Sequence, residues 1–251
     1  QKSNMIMYDI HCHILPWVDD GPTDIEDSLG MCKFAACQGI KAVVATPHYM
    51  YDNRTPMPFE MILPRISFLN QKLIDEDVEL SILPGMEVPL FPDLVELYLK
   101  GNIMTLNLKN YLLIELPLMG SFPIYMYDVL FKLQLKGIKP IIAHPERCEL
   151  IIKDPNTAYR LIDSGCLMQI NAGSIKGMFG RKVKRTALFL LKHGMAHVVA
   201  SDNHPQYGRM SSLKDSYNTI MKKFGEKLAD DLFINNPNKI ISGQEIYNTY
   251  I

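Results

Sequence analysis

Short, unbroken apolar runs recur along the chain, and nearly every one stops at a polar residue able to bind a metal ion. They are "MYDI" before His11, "KAVVATP" before His48, "LSILPGM" before Glu87, "YLLI" before Glu115, "KPIIA" before His144, "LMQI" before Asn171 and "AHVVAS" before Asp202. The steps between those end residues are 37, 39, 28, 29, 27 and 31. A strand, a helix and two short loops need about that much chain, since a βαβ unit takes roughly 30 residues. The runs do not alternate apolar with polar, which is the pattern of parallel strands buried on both faces.

Helix patterns with readable ends lie between the runs. Thr23-Asp24-Ile25-Glu26 has the form of a capping box, Leu29, Met31, Phe34 and Ala35 follow it, and Gly39 closes the segment. Segments 124–137, 156–165 and 185–194 each stop at glycine, and 58–77 is helical in pattern, with Pro64 expected to end its first turns or kink it. Seven strands alternating with helices predict an α/β fold, a distorted seven-stranded (β/α)7 TIM-like barrel. With no repeats or linker, a single domain over 1–251 is expected. Residues 1–5 are expected to lie outside the fold, disordered or a remnant of a trimmed terminus.

Barrels of this kind carry their chemistry at the C-terminal ends of the strands. His11, His13, His48, Glu87, Glu115, His144 and Asp202 all fall there. In "DIHCHILPWVDDG", His11 and His13 share one face of a strand and Cys12 takes the other. Asp19, just before Asp20 and Gly21, reads as a turn residue and Asp20 as a ligand. Five of the seven histidines (11, 13, 48, 144 and 204) follow predicted strands. His193 and His197 fall on the opposite face and read as a helix cap and a surface or core residue.

His11, His13, Asp20, His48, Glu87, Glu115, His144, Asp202 and His204 together make nine N/O donors on one rim. Any one of them alone would more often be a cap or a satisfied polar group. Jointly they would bury unpaired carboxylates at high cost unless metal were held. One ion takes four to six donors, so two or three ions sharing carboxylates are expected, and imidazole with carboxylate and no thiolate suits Mn²⁺, Fe²⁺ or Zn²⁺. Arg147 and Arg209 lie beside this rim. Each alone reads equally well as a surface arginine, but two guanidinium forks beside clustered metals suit a phosphate group. The chemistry expected is in-line attack on a phosphomonoester by a metal-bound hydroxide, with Arg147 and Arg209 on the phosphate and His204 available to assist the leaving group.

Composition narrows this little further. The chain has 251 residues, 47% apolar and 21% charged, with a formal net charge of −1, which offers no bulk attraction to nucleic acid or to an acidic membrane. It shows no signal-peptide pattern and no apolar run long enough to span a bilayer. Five cysteines fit reduced thiols and a cytoplasmic setting. The residues six places after them are Val18, Gln38, Val43, Asp154 and Ala172, so the C-x5-R loop of cysteine-dependent phosphatases is absent.

"DIHCHILPWVDDG", "ATPHY", "GMEV", "LIELP", "AHPER", "QINAGS" and "SDNH" resemble the successive motifs of the PHP (polymerase and histidinol phosphatase) superfamily. More narrowly, they resemble the bacterial manganese-dependent tyrosine-protein phosphatases of capsule and exopolysaccharide operons, the CpsB/YwqE type. The resemblance implies the PHP fold, a seven-stranded distorted barrel with a trinuclear Mn²⁺ site. It implies one ion on His11, His13, Glu87 and Asp202, a second on Glu87, Glu115 and His144, and a third on Asp20, His48 and His204. It further implies that Arg147 and Arg209 bind phosphate and that the partner is a phosphotyrosine protein, a bacterial tyrosine kinase. The loop after His48 lacks the basic pair some relatives carry; Tyr49 and Tyr51 could flank a phosphotyrosine ring or merely cover the barrel mouth. The alternatives are a histidinol-phosphate or other small-molecule phosphatase of the superfamily, and a non-catalytic metal-binding regulator.

Overall fold

The computed structural model describes residues 6–50 and 56–246, so the expectations for residues 1–5 and for Tyr51 lie outside it. Among the described residues eight strands form two parallel sheets. The first holds β1 (Met7–Cys12), β2 (Ile40–Ala45) and β3 (Ser81–Pro84) in that order. The second holds β4 (Glu87–Pro89), β5 (Tyr111–Glu115), β6 (Lys139–Ala143), β7 (Leu167–Asn171) and β8 (Val198–Ala200).

The seven-strand expectation is therefore corrected at the third run, which is two strands. Pro84 has no N–H to continue a ladder. At Gly85 an added Cβ would stand 2.5 Å from Val44 Cγ1 and 3.2 Å from the Ala45 carbonyl oxygen. Strand β2 thus crosses bare backbone at this point, and the chain changes sheets there. Gly85→Ala is expected to cost about 1–3 kcal/mol by overpacking and to lower the melting temperature by several degrees, measured by thermal denaturation.

Both seams between the sheets are stitched at one rim. On one side the Glu87 N–H donates to the Pro47 carbonyl (3.0 Å) and the Tyr49 N–H to the Glu87 carbonyl (2.8 Å). On the other, the Asp202 N–H donates to the His11 carbonyl (2.8 Å) and the His13 N–H to that of Asn203 (3.3 Å).

Both faces of the strands are buried, as their unbroken apolar runs require. In β5, Tyr111 and Leu113 join a cluster with Ile10, Val44, Ile141 and Val198, while Leu112 and Ile114 enter the larger cluster shared with the helices. Helix α1 (Ile25–Ala36) is capped by Asp24, whose side chain accepts the Asp27 N–H at 2.8 Å, one residue later than the capping box placed it. Helix α2 (Phe59–Asp75) runs through Pro64 instead of ending there. The proline removes one hydrogen bond, whereas Ile62, Ile66, Leu69 and Leu73 hold a buried stripe on both sides of it. Helices at Met126–Leu135, Asn156–Asp163 and Arg181–Lys192 stop shortly before Gly137, Gly165 and Gly194, the last starting four residues earlier than expected. No described helix is long and apolar enough to cross a membrane.

Candidate metal centre

The sheet assembles all nine candidate donors at the stitched rim. His11 lies in β1 and His13 one residue past it, and their rings tilt toward each other with centroids 5.4 Å apart. His48 follows β2, Glu87 opens β4, Glu115 ends β5, His144 follows β6, and Asp202 and His204 follow β8. His144 and Asp202 have φ of +32° and +50°. Such left-handed backbone costs a non-glycine residue on the order of 1–3 kcal/mol and persists only where surrounding structure imposes it. Here the stitch from Asp202 to His11 is one such constraint, and the Arg147 N–H bonded to the His144 carbonyl at 2.9 Å is another.

The protons at the centre can be placed. His13 Nδ1 is 2.7 Å from Asp19 Oδ2, and an ionised carboxylate only accepts, so in the neutral ring Nδ1 carries the hydrogen and Nε2 a lone pair. His11 Nδ1 is 2.8 Å from Gln169 Oε1, which leaves its Nε2 in the same condition. The two Nε2 atoms then face each other at 3.3 Å. Glu87 Oε2 lies 3.5 and 3.3 Å from them, and Asp202 Oδ1 lies 3.4 and 3.6 Å away. With both rings neutral, as a bound metal requires, four lone-pair atoms meet here with no hydrogen among them. Donors about 2.1 Å from one shared cation stand roughly 3.0–3.5 Å apart, so these residues fit a bound divalent ion.

Two further groupings adjoin the first. His144 Nε2 is 3.0 Å from Glu87 Oε1 and 3.7 Å from Glu115 Oε1. Asp20 Oδ1 lies 3.5 Å from His48 Nε2 and 3.3 Å from His204 Nε2. Asp20 Oδ1 and His204 Nε2 are buried without a hydrogen bond. His48 Nδ1 also reaches Glu87 Oε2 at 3.1 Å, so its ring stands between two groupings.

The electrostatics suit a cation at this mouth. Burial, reinforced by the charge of Glu87, pushes the Glu115 carboxyl up to about 8. Burial opposes ionisation of Glu87, yet the imidazoles of His11 and His48 outweigh it and hold its carboxyl well below the usual carboxylate range. Burial likewise disfavours charge on His11, but Glu87 and Asp202 raise it to about 9. Protons thus gather where a divalent ion would displace them.

Arg147 Nη1 donates to Asp202 Oδ2 at 3.0 Å, and its guanidinium lies 4.6 Å over the Phe179 ring. Arg209 lies 4.6 Å over the Tyr207 ring with Nη2 3.8 Å from Asp20 Oδ2, and its Nε is buried without a partner. The two guanidiniums, His204 and the carboxylates of Asp20, Glu115 and Asp202 bound a cavity of about 140 Å³. Tyr49 is buried and stacked on Phe91 at 5.8 Å, the packing alternative of the two weighed for it. The exposed aromatic ring near His204 is that of Tyr207, 6.2 Å away.

His193 caps its helix, its Nδ1 2.8 Å from the Phe189 carbonyl, and buried His197 accepts the Met168 N–H at 3.0 Å; both stand apart from the cluster. Three residues do more than their sequence context suggests. Asp19 makes the expected turn, its Oδ1 accepting the Gly21 N–H at 2.9 Å, and its Oδ2 also takes the His48 N–H at 3.0 Å beside His13. Gln169 and Asn171 lie fully buried in β7 behind His11 and Asp202. Their spacing of two on one strand, the signal that singled out His11 and His13, could have found them.

The family model for capsular polysaccharide synthesis, CpsB/CapC, matches residues 7–242. The chain is similar to the tyrosine-protein phosphatase YwqE of Bacillus subtilis (strain 168), with 38% identity over 225 residues covering 88% of this chain and 87% of that protein. It is similar to the tyrosine-protein phosphatase CpsB of Streptococcus pneumoniae, with 36% identity over 249 residues covering 96% of this chain and all of that one (100%). A crystal structure from work on these two proteins, called there unique metal-dependent tyrosine phosphatases, matches with a TM-score of 0.91 at 36% identity and covers 96% of both chains.

Proposed function

We propose, because this chain belongs to the CpsB/CapC family of capsular polysaccharide synthesis, that it is a metal-dependent protein-tyrosine phosphatase. The substrate is phosphotyrosine on a tyrosine kinase of capsule or exopolysaccharide synthesis, met in the cytoplasm. The two sheets form one distorted barrel of seven strand positions in a single domain, with two or three Mn²⁺ at its mouth. The observation that carries this reading is the cluster of four lone-pair atoms on His11, His13, Glu87 and Asp202, bordered by two guanidiniums.

His11, His13, Glu87 and Asp202 hold one ion. Glu87, Glu115 and His144 hold a second, and Asp20, His48 and His204 a third. When bound, the ions supply Lewis acidity toward the phosphoryl oxygens and lower the pKa of water. Arg147 and Arg209 fix those oxygens so that water attacks phosphorus in line with the phenolic oxygen that leaves. Packed over the rings of Phe179 and Tyr207, the guanidiniums keep the N–H groups that do not face Asp202 and Asp20 for the phosphate. His204 Nδ1 lies 3.0 Å from the Asp202 carbonyl, so it donates there and, in the neutral ring, turns the Nε2 lone pair toward Asp20. That favours His204 as a ligand over a proton donor. A phenol, with a pKa near about 10, needs less help to leave than an alkyl alcohol.

Attack by sulfur lacks support. Cys12, Cys32, Cys148 and Cys166 are buried, and burial pushes the last three thiols up to about 12 and Cys12 well above its ordinary value. Exposed Cys37 sits at the end of α1. Alkylation with iodoacetamide is expected to leave hydrolysis within about twofold; inactivation at unchanged metal content would contradict a metal mechanism.

Initial rates on a phosphotyrosine peptide, a phosphoserine peptide and histidinol phosphate test the assignment, using stripped enzyme resupplied with Mn²⁺. Preference for phosphotyrosine that needs the metal supports it. Preference for the small phosphate would overturn the substrate and keep the site.

A further inference from the structure

Behind the candidate ligands, β7 carries two fully buried amides, Gln169 and Asn171, that bear no part in the reaction proposed above. Their hydrogen bonds form an unbroken line between His11 and Asp202. His11 Nδ1 is 2.8 Å from Gln169 Oε1, Gln169 Nε2 is 2.8 Å from Asn171 Oδ1, and Asn171 Nδ2 is 2.6 Å from Asp202 Oδ2.

The direction of this line follows from one end of it. Ionised Asp202 can only accept, so Asn171 must turn its NH₂ toward it. Its oxygen then faces Gln169, which must answer with its own NH₂ and turn Oε1 toward His11. That oxygen in turn requires the His11 hydrogen on Nδ1. The carboxylate of Asp202 therefore sets the tautomer of an imidazole that precedes it by 191 residues, through two amides that touch no substrate.

Both ends serve the cluster. At His11 the line leaves the Nε2 lone pair facing inward. At Asp202 it joins Arg147 Nη1 (3.0 Å) on Oδ2, so that Oδ1 is the oxygen left beside His11 and His13. Asn171 is itself held in place, its N–H donating to buried Glu146 Oε1 at 2.8 Å.

We propose that Gln169 and Asn171 are positioning residues that act as one proton-ordering relay, locking His11 and Asp202 as a matched pair of ligands for a single ion. This rests on the metal reading of the site. Its own content is that the two amides act together and at a distance, so that a change at Asn171 alters an imidazole it does not touch.

The test uses Gln169→Met and Asn171→Leu, which approximate the side-chain volumes, and their double variant. Mn²⁺ binding is measured by equilibrium dialysis, and the histidine ring nitrogens by NMR of ¹⁵N-histidine-labelled, Zn²⁺-loaded protein. Each single variant is expected to weaken one ion by about 10–100-fold, the usual effect of losing an outer-shell partner. The double variant is expected to lose no more than the worse single one, because both cut the same line. In Asn171→Leu the His11 Nδ1–H signal, slow to exchange with solvent in the wild type, is expected to broaden or disappear.

Single variants with wild-type affinity, multiplicative losses in the double variant, or an unaltered His11 signal in Asn171→Leu would each overturn the relay. So would a wild-type His11 ring protonated on Nε2, a readout that needs no variant to fold. A lowered melting temperature with unchanged affinity would likewise reduce the two amides to packing. Wild-type protein that binds no Mn²⁺ would sink the metal reading itself; wild-type protein that binds it while the variants match it sinks only the relay.

Discussion

Glu87→Gln is expected to abolish binding of at least one ion and to lower kcat/KM for a phosphotyrosine peptide by about 10³-fold or more. Glu87 is the hub of the cluster. Its Oε2 lies 3.5, 3.3 and 3.1 Å from nitrogens of His11, His13 and His48, and its Oε1 lies 3.0 Å from His144 Nε2. An amide of the same shape keeps one oxygen and presents an NH₂ at the other position. That group would point at lone pairs it cannot all satisfy and would repel a cation. Breaking a buried charged arrangement from one side costs about 3–5 kcal/mol, and 4 kcal/mol corresponds to about 10³ in rate. Metal per chain and steady-state rates on the same preparation check this, with circular dichroism to confirm the fold. A variant that retains its full ion content and rate would remove Glu87 from the centre.

Stripping the ions is expected to lower the melting temperature by about 10 °C, and Mn²⁺ to restore it. The cluster brings the buried carboxylates of Glu87 and Asp202, and the part-buried one of Glu115, round a single mouth. Arg147 is in direct contact with one of them, Asp202. A ligand at 1,000 times its dissociation constant stabilises the fold by about 4 kcal/mol, and each kcal/mol shifts a chain of this size by roughly 2–4 °C. Scanning fluorimetry with and without chelator, followed by titration with Mn²⁺, measures the effect. A melting curve indifferent to chelator would mean that the carboxylates are balanced by the protein alone.

What the sequence revealed of this protein, and what it hid, divides along physical lines. The strands were legible because both of their faces are buried, which leaves unbroken apolar runs. Six of the nine rim residues, His11, His48, Glu87, Glu115, His144 and Asp202, are legible because each stands at the end of such a run, and His13, Asp20 and His204 because they follow in the same loops. The break between β3 and β4 was not, because "LSILPGM" is apolar throughout and the reason to stop lies in the approach of Val44, on another strand. Pro64 was judged by its local effect, whereas α2 is held by a buried stripe on either side of it. The full roles of Asp19, Gln169 and Asn171 are hidden for a similar reason. An aspartate before glycine is common in turns, and two amides spaced two apart mark a shared strand face without naming their partners. Their roles depend on partners as distant as the 158 residues between His11 and Gln169.

The seam between the sheets also orders events in time. A chain emerging from the ribosome exposes His11, His13, Asp20 and His48 first, all of them on the early side of the β3–β4 break. Asp202 arrives 154 residues after His48, which at usual elongation rates is roughly 8–30 s later. For that interval the nascent chain displays His11 and His13 without Asp202, and the second seam, which joins Asp202 to His11, cannot close. The grouping of His11, His13 and Asp202 is therefore complete only in a chain long enough to close both seams.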